Sequence, residues 1–82
     1  MLDLVETLAA LLHQKAMKLV TAESCTGGLL ATTLTHKAGA SAFFERGFIT
    51  YSNESKTELL GVLPETLDAY GAVSSETAEE MA

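Results

Sequence analysis

Two short stretches gather side chains able to do chemistry: T-A-E-S-C-T-G-G at residues 21–28 and Y-S-N-E-S-K at residues 51–56. The first sets Glu23, Ser24, Cys25 and Thr26 in a row, then adds Gly27 and Gly28, a pair that lets backbone come close to a ligand. A serine attacks only when a neighbouring group takes its proton, and histidine is the usual partner. His13 and His36, however, fall on helical stretches with no polar cluster around them. A lysine does the same work as a neutral amine when burial or neighbours favour that form, and Lys56 is the one base in a candidate site. Tyr51, just upstream, can pass a proton or orient the pair. The constellation Ser24, Lys56 and Tyr51 is therefore one candidate for nucleophilic catalysis.

Each of these residues also has a plainer reading. Serines on α/β loops are commonly helix caps, and Lys56, a lone cation beside Glu54 and Glu58, fits a solvated helix face with i,i+4 pairing. Cys25 is an alternative nucleophile, although a single cysteine next to a strand is more often a small buried apolar group. Glu23 suits an acid, a ligand or a helix-dipole partner, and residue type alone does not choose among them. The glycine pair fits neither G-x-x-x-x-G-K-[ST] nor G-x-S-x-G. No cluster has metal-ligand spacing. Phe43, Phe44 and Phe48 are expected to fill the core.

The elements that must position these groups follow from periodicity. Leu4, Val5, Leu8, Leu11 and Leu12 recur at helical spacing, which predicts an amphipathic helix over residues 2–17. Residues 18–23 are short and partly β-branched and run into Ser-Cys-Thr-Gly-Gly, which predicts a strand entering a turn. A helix is expected over 27–36, a second strand over 47–51 and a short helix over 54–60, with Ser52 and Asn53 as cap residues and Gly61 as the stop. Pro64 opens a further helix to Tyr70, and Ser74 or Ser75 caps a last one from Glu76 to Ala82. This alternation predicts an α/β fold. If the two strands are parallel, both polar clusters lie at their C-terminal edge, where open α/β sheets bind ligands. The clusters are thus expected to converge.

Bulk properties narrow the function classes. With 82 residues the chain has room for one small domain or part of one. Its 48% hydrophobic content and single proline exclude a disordered or collagen-like class. Residues 1–52 balance their acids and bases, so the whole net charge of −6 lies in the last thirty residues. That balance lacks the basic footprint that nucleic-acid binding needs. The longest apolar run, Leu8 to Leu12, is too short to cross a bilayer. One cysteine permits no internal disulfide, so a cytoplasmic location is the expectation.

T-A-E-S-C-T-G-G, F-F-E-R-G-F-I-T-Y-S-N-E-S-K, L-L-G-V and Y-G-A-V-S occur here in that order. In order and spacing they resemble the C-terminal domain of the CinA family, the nicotinamide mononucleotide deamidases, from about Leu4 to the end. The resemblance implies a three-layer α/β/α sandwich and a cofactor-free, metal-independent serine amidohydrolase. Such an enzyme converts nicotinamide mononucleotide to nicotinic acid mononucleotide and ammonia. It implies Ser24 as nucleophile, Lys56 as base and Tyr51 as an auxiliary, with Glu23, Thr26, Gly27, Gly28 and Asn53 binding the nucleotide. Family members are expected to continue past the V-S-x-E-x-A-x-x-M-A helix into further strands and a glycine-rich segment. Residues 1–82 would then be the N-terminal half of that domain, a homo-oligomer or self-associating piece with a small-molecule substrate and neither nucleic acid nor membrane as partner. The alternative is a nucleotide-binding or self-associating piece without turnover.

Overall fold

The computed structural model describes residues 2–82. Seven regular elements follow in order: α1 (Leu2–Lys15), β1 (Leu19–Glu23), α2 (Leu29–Thr35), β2 (Phe44–Ile49), α3 (Asn53–Leu60), α4 (Pro64–Tyr70) and α5 (Ser75–Met81), with a 3-10 turn at Ala40–Ala42 before β2. The fold is α/β, as the alternation predicts. β1 and β2 pair in a two-stranded sheet. The Leu19 N–H donates to the Phe43 carbonyl at 2.7 Å, and the Thr50 N–H donates to the Glu23 carbonyl at 2.8 Å. Partners that advance together along both strands make the pairing parallel, and α2 supplies the crossover that such a pair requires.

Among the boundaries that differ from expectation, the end of α1 and the start of β2 have a local reason. α1 stops at Lys15 because Ala16 takes φ of +53°. The Met17 N–H then bonds the Leu12 carbonyl at 2.9 Å and the Ala16 N–H bonds the His13 carbonyl at 3.1 Å, the paired 6→1 and 5→2 bonds that close a helix. Alanine in that place gives no textual sign of a stop. β2 begins at Phe44 rather than at residue 47, so Gly47 sits inside the strand instead of at its start. A β-carbon on Gly47 would lie 2.7 Å from Thr21 Oγ1 and 3.4 Å from Phe44 Cζ, so glycine marks a close approach to the neighbouring strand.

The chain divides into two compact units. The first joins the described residues up to Thr21 with Gly28–Gly47. Its core is Val5, Leu12, Leu34 and Phe43, with Leu8, Leu19 and Phe44 packed against it. The i, i+7 spacing of Val5 and Leu12 puts one face of α1 inward, as its apolar stripe predicts.

The second unit joins Ala22–Gly27 with Phe48–Ala82. Val62 is its fully buried hydrophobic residue, and Thr50, Lys56, Thr66 and Thr77 are buried polar ones. Helix ends account for much of this polarity. Ser52 caps α3 by accepting the Ser55 N–H at 3.1 Å, and Gly61 closes it at φ of +72°. Ser74 caps α5 by accepting the Thr77 N–H, while the Thr77 hydroxyl donates to the Gly71 carbonyl at 2.7 Å. α4 has Pro64 in its first turn and no cap of its own from Leu63. Glu80 of α5 takes that part, accepting the Leu63 N–H at 2.9 Å and the Thr66 hydroxyl at 2.5 Å. Phe48 is half-buried here, so of the three phenylalanines Phe43 alone is fully enclosed.

Candidate active site

The bond from the Thr50 N–H to the Glu23 carbonyl ties together the C-terminal ends of β1 and β2. Ser24 follows one partner of that bond and Tyr51 follows the other. The two polar clusters therefore converge as expected, within the second unit. Parallel pairing does this: it places both strand ends at one edge, and the chain turns into a new element directly after each.

After β1 the chain makes a tight turn in which the Gly27 N–H bonds the Ser24 carbonyl at 3.1 Å. Gly27 has φ of +60°, a left-handed conformation that costs glycine little, and a β-carbon there would meet nothing within 4 Å. Backbone conformation, rather than room, selects this glycine. Gly28, counted with the first unit, is the left-handed N-cap of α2, and its carbonyl accepts the Thr32 N–H at 2.9 Å. Glu23 is buried at 5% exposure and its Oε1 accepts the Thr26 hydroxyl at 2.6 Å. Ser24 is half-buried. Cys25 is exposed, contrary to the expectation of a buried apolar group, because it occupies the outer corner of the turn.

Lys56 corrects the second plain reading. Rather than lying on a solvated helix face, it is fully buried at 0% exposure. Its Nζ donates to the Thr50 carbonyl at 2.8 Å and to the Tyr51 carbonyl at 3.3 Å. The cause is geometric. The Ser52 cap starts α3 immediately after the strand, and the first turn of that helix directs residue 56 back toward the strand end, where its own N–H also bonds the Ser52 carbonyl. Tyr51 meets Lys56 through its carbonyl, while the residue as a whole is 75% exposed. Asn53, the first residue of α3, is exposed and lines a cavity of about 350 Å³ with Glu54, Thr57, Pro64 and Leu67; neither Ser24 nor Lys56 lines it.

Thr50 is the participant that residue patterns did not single out. It is fully buried, and both its backbone polar groups hold the site together. A β-branched residue at a strand end carries no mark that separates it from ordinary strand composition. Among the described residues no group of three or more His, Cys, Asp or Glu side chains could hold a metal ion. No helix of the described residues is long and apolar enough to cross a membrane.

Comparison with known proteins agrees with this fold. The model of the CinA C-terminal domain matches residues 1–82. A CinA-like protein of Chloroherpeton thalassium is 56% identical over 81 residues, covering 99% of this chain and 19% of its own length. A CinA-like protein of Shewanella piezotolerans is 56% identical over 80 residues, covering 98% and 19%. The crystal structure of a competence/damage-inducible protein from Agrobacterium tumefaciens superimposes with a TM-score of 0.95 at 47% identity, covering 99% of this chain and 49% of that one. That of a CinA superfamily protein from Escherichia coli gives 0.93 at 39%, covering 98% and 46%. The chain thus spans about a fifth of those curated relatives and about half of the solved structures. A family match over its whole length, joined to this agreement of fold, means that the chain belongs to the CinA C-terminal domain family.

Proposed function

We propose that this chain carries the nucleophile and base of a serine amidohydrolase that removes the carboxamide nitrogen of nicotinamide mononucleotide. The observation that supports this reading best is the complete burial of Lys56 beside the strand end that is bonded to the Ser24 strand. Lysine is seldom fully buried unless paired, and structural ion pairs supply the usual reason. Here two backbone carbonyls receive the Nζ hydrogens. The two carbonyls fix the position of Nζ, and a general base has to be held within reach of the proton it takes.

In this mechanism Ser24 Oγ adds to the carboxamide carbon as its proton passes to Lys56 Nζ. The C–N bond then breaks, Lys56 returns the proton to the departing nitrogen, and ammonia leaves a nicotinoyl ester on Ser24. Water cleaves the ester, again giving a proton to Lys56, which restores the Ser24 hydroxyl and releases nicotinic acid mononucleotide. Glu23 and Thr26 brace the turn that carries Ser24, Gly27 and Gly28 let it approach the nucleotide, Asn53 contacts the substrate, and Tyr51 is the auxiliary that holds Lys56. Residues 1–82 form one part of the catalytic domain, which the remaining half of the longer relatives completes.

The test is ammonia release from nicotinamide mononucleotide, measured on the chain and on the chain fused to the remaining half of the Agrobacterium tumefaciens domain. Turnover that disappears with Ser24→Ala supports the reading, and a fusion that is folded and inert refutes it. Self-association without turnover is a second reading, favoured by Val20 of β1 and Ile49 of β2, each about half exposed on a strand. Light scattering on the same samples decides it: homo-oligomers of the chain that become a defined particle in the fusion support it, and a monodisperse monomeric chain removes it.

A further inference from the structure

α1 carries two apolar stripes, and the core takes only one of them. Val5 and Leu12 are buried, whereas Leu4 is 70% and Leu11 45% exposed, with Leu8 half-buried where the stripes meet. Leu4, Leu8, Leu11 and Lys15 follow one another at steps of four, three and four residues, the spacing of a seam that packs against another helix. α2 lies in the same compact unit, with Leu30 42% exposed. A cavity of about 100 Å³ opens between the two helices, walled by Leu4, Leu8, Leu30 and Leu34. A leucine seam facing water beside an apolar hole is the mark of a docking face.

Charge selects what docks there. Asp3 adjoins the N-terminal end of the seam and Lys15 closes its C-terminal end; both are exposed, and neither is in an ion pair among the described residues. A second α1 laid antiparallel on the first sets Leu8 against Leu11 of the other copy, beside the hole between α1 and α2. The same register sets Leu4 against Lys15 of that copy, whose methylene stem covers the leucine while its ammonium reaches Asp3. A two-fold axis repeats every contact, so each end of the seam carries one such ion pair. Parallel stacking would place Asp3 on Asp3 and Lys15 on Lys15. We propose that α1 is a self-docking surface, through which two copies of the chain pair antiparallel along Leu4, Leu8 and Leu11. This rests on the self-association reading above, with the interface on a helix rather than on the strands, and uses none of the serine–lysine chemistry.

Sedimentation equilibrium tests it on the 82-residue chain and on the fusion used above, and both should be dimers. Leu11→Lys changes an exposed position and should raise the dimer dissociation constant by about a hundredfold, since symmetry counts the loss twice. Asp3→Lys puts like charges at both ends of the seam and should raise it about tenfold at low salt, less at high salt. Asp3→Lys combined with Lys15→Asp should restore the parental constant, a rescue that misfolding cannot imitate. Val20→Lys, on β1, should leave it unchanged. A dimer that survives Leu11→Lys, or a charge exchange that fails to rescue, overturns the proposal. If Val20→Lys alone dissolves the dimer, the strands are the interface: this inference fails while the self-association reading stands. A monomeric chain overturns both. A fusion that is monomeric while the chain pairs gives the seam to the remaining half of the domain, and overturns the proposal as well.

Discussion

Replacing Lys56 separates its packing from its chemistry, because the structure assigns different magnitudes to different substitutions. Lys56→Ala removes three methylenes from a site with 0% exposure, at about 0.8 kcal/mol each, or roughly 2.4 kcal/mol. It also strands the Thr50 and Tyr51 carbonyls, adding about 1–2 kcal/mol. The sum, about 3–5 kcal/mol, is a large share of the roughly 4–12 kcal/mol expected for a chain of this length. Lys56→Met keeps the apolar stem and loses only the hydrogen bonds, so it should cost about 1–2 kcal/mol. At about 4–8 °C per kcal/mol, thermal unfolding followed by circular dichroism should show a fall of roughly 12–40 °C for alanine and 4–16 °C for methionine. Neither variant should release ammonia from nicotinamide mononucleotide in the fusion. Lys56→Arg should be equally inactive, since a guanidinium stays protonated and cannot accept the serine proton. An alanine variant as stable as the parent would refute the burial argument. A methionine or arginine variant that keeps most of its turnover would show that Lys56 is not the base.

Ser24→Ala should abolish turnover while sparing nucleotide binding in calorimetry, and Cys25→Ser, at the exposed corner of the turn, should be mild; the reverse pattern would move the nucleophile to Cys25. The Thr66 hydroxyl and then the Leu63 N–H hold the Glu80 carboxyl below the ordinary glutamate value of 4.5, so its stabilising effect is complete above that pH and is lost as pH falls through the lowered folded value. Urea midpoints across acidic pH should show this loss in the parent and a flatter profile in Glu80→Gln; identical profiles would contradict the clamp. Gly47→Ala drives a β-carbon to within 2.7 Å of Thr21 Oγ1 and should destabilise by about 1–3 kcal/mol, and an unchanged unfolding temperature would mean that the strands can yield.

What residue types alone revealed depended on how local each determinant is. The helix from Pro64 to Tyr70, the Gly61 stop and the Ser52 and Ser74 caps are short-range effects, and each appears where its residue type predicts. The end of α1 was illegible because alanine occupies a left-handed position that usually belongs to glycine. Gly47 read as a boundary because glycine has two meanings in a strand, and only the presence of Thr21 on the neighbour decides between them. Lys56 and Cys25 exchanged their expected environments for a related reason. Composition assigns lysine outward and cysteine inward, whereas here the first turn of a helix directs the lysine inward and a tight turn presents the cysteine outward. Residue type nominates Ser24, Lys56 and Tyr51 as a constellation, whereas nothing in residue type nominates Thr50, whose burial and backbone bonds depend on the strand and helix around it.

The two halves of the site are encoded at different ranges, and this decides how each can fail. Thr50, Tyr51, the Ser52 cap and Lys56 lie within one short stretch, so the place of Lys56 is set by a strand end, a cap and one helical turn. Any chain that forms this local unit will bury the amine against the same two carbonyls. Ser24 is placed differently. It comes to this edge through parallel pairing of β1 with β2, closed there by the Thr50 N–H and the Glu23 carbonyl. A slip of one residue in that register would turn each β1 side chain to the opposite face and shift Ser24, while leaving the local geometry of Lys56 intact. Disturbing the strands, as Gly47→Ala does, should therefore cost turnover in proportion to lost register while the hydrogen bonds of Lys56 persist. Disturbing the Ser52 cap should instead release Lys56 with the strands still paired.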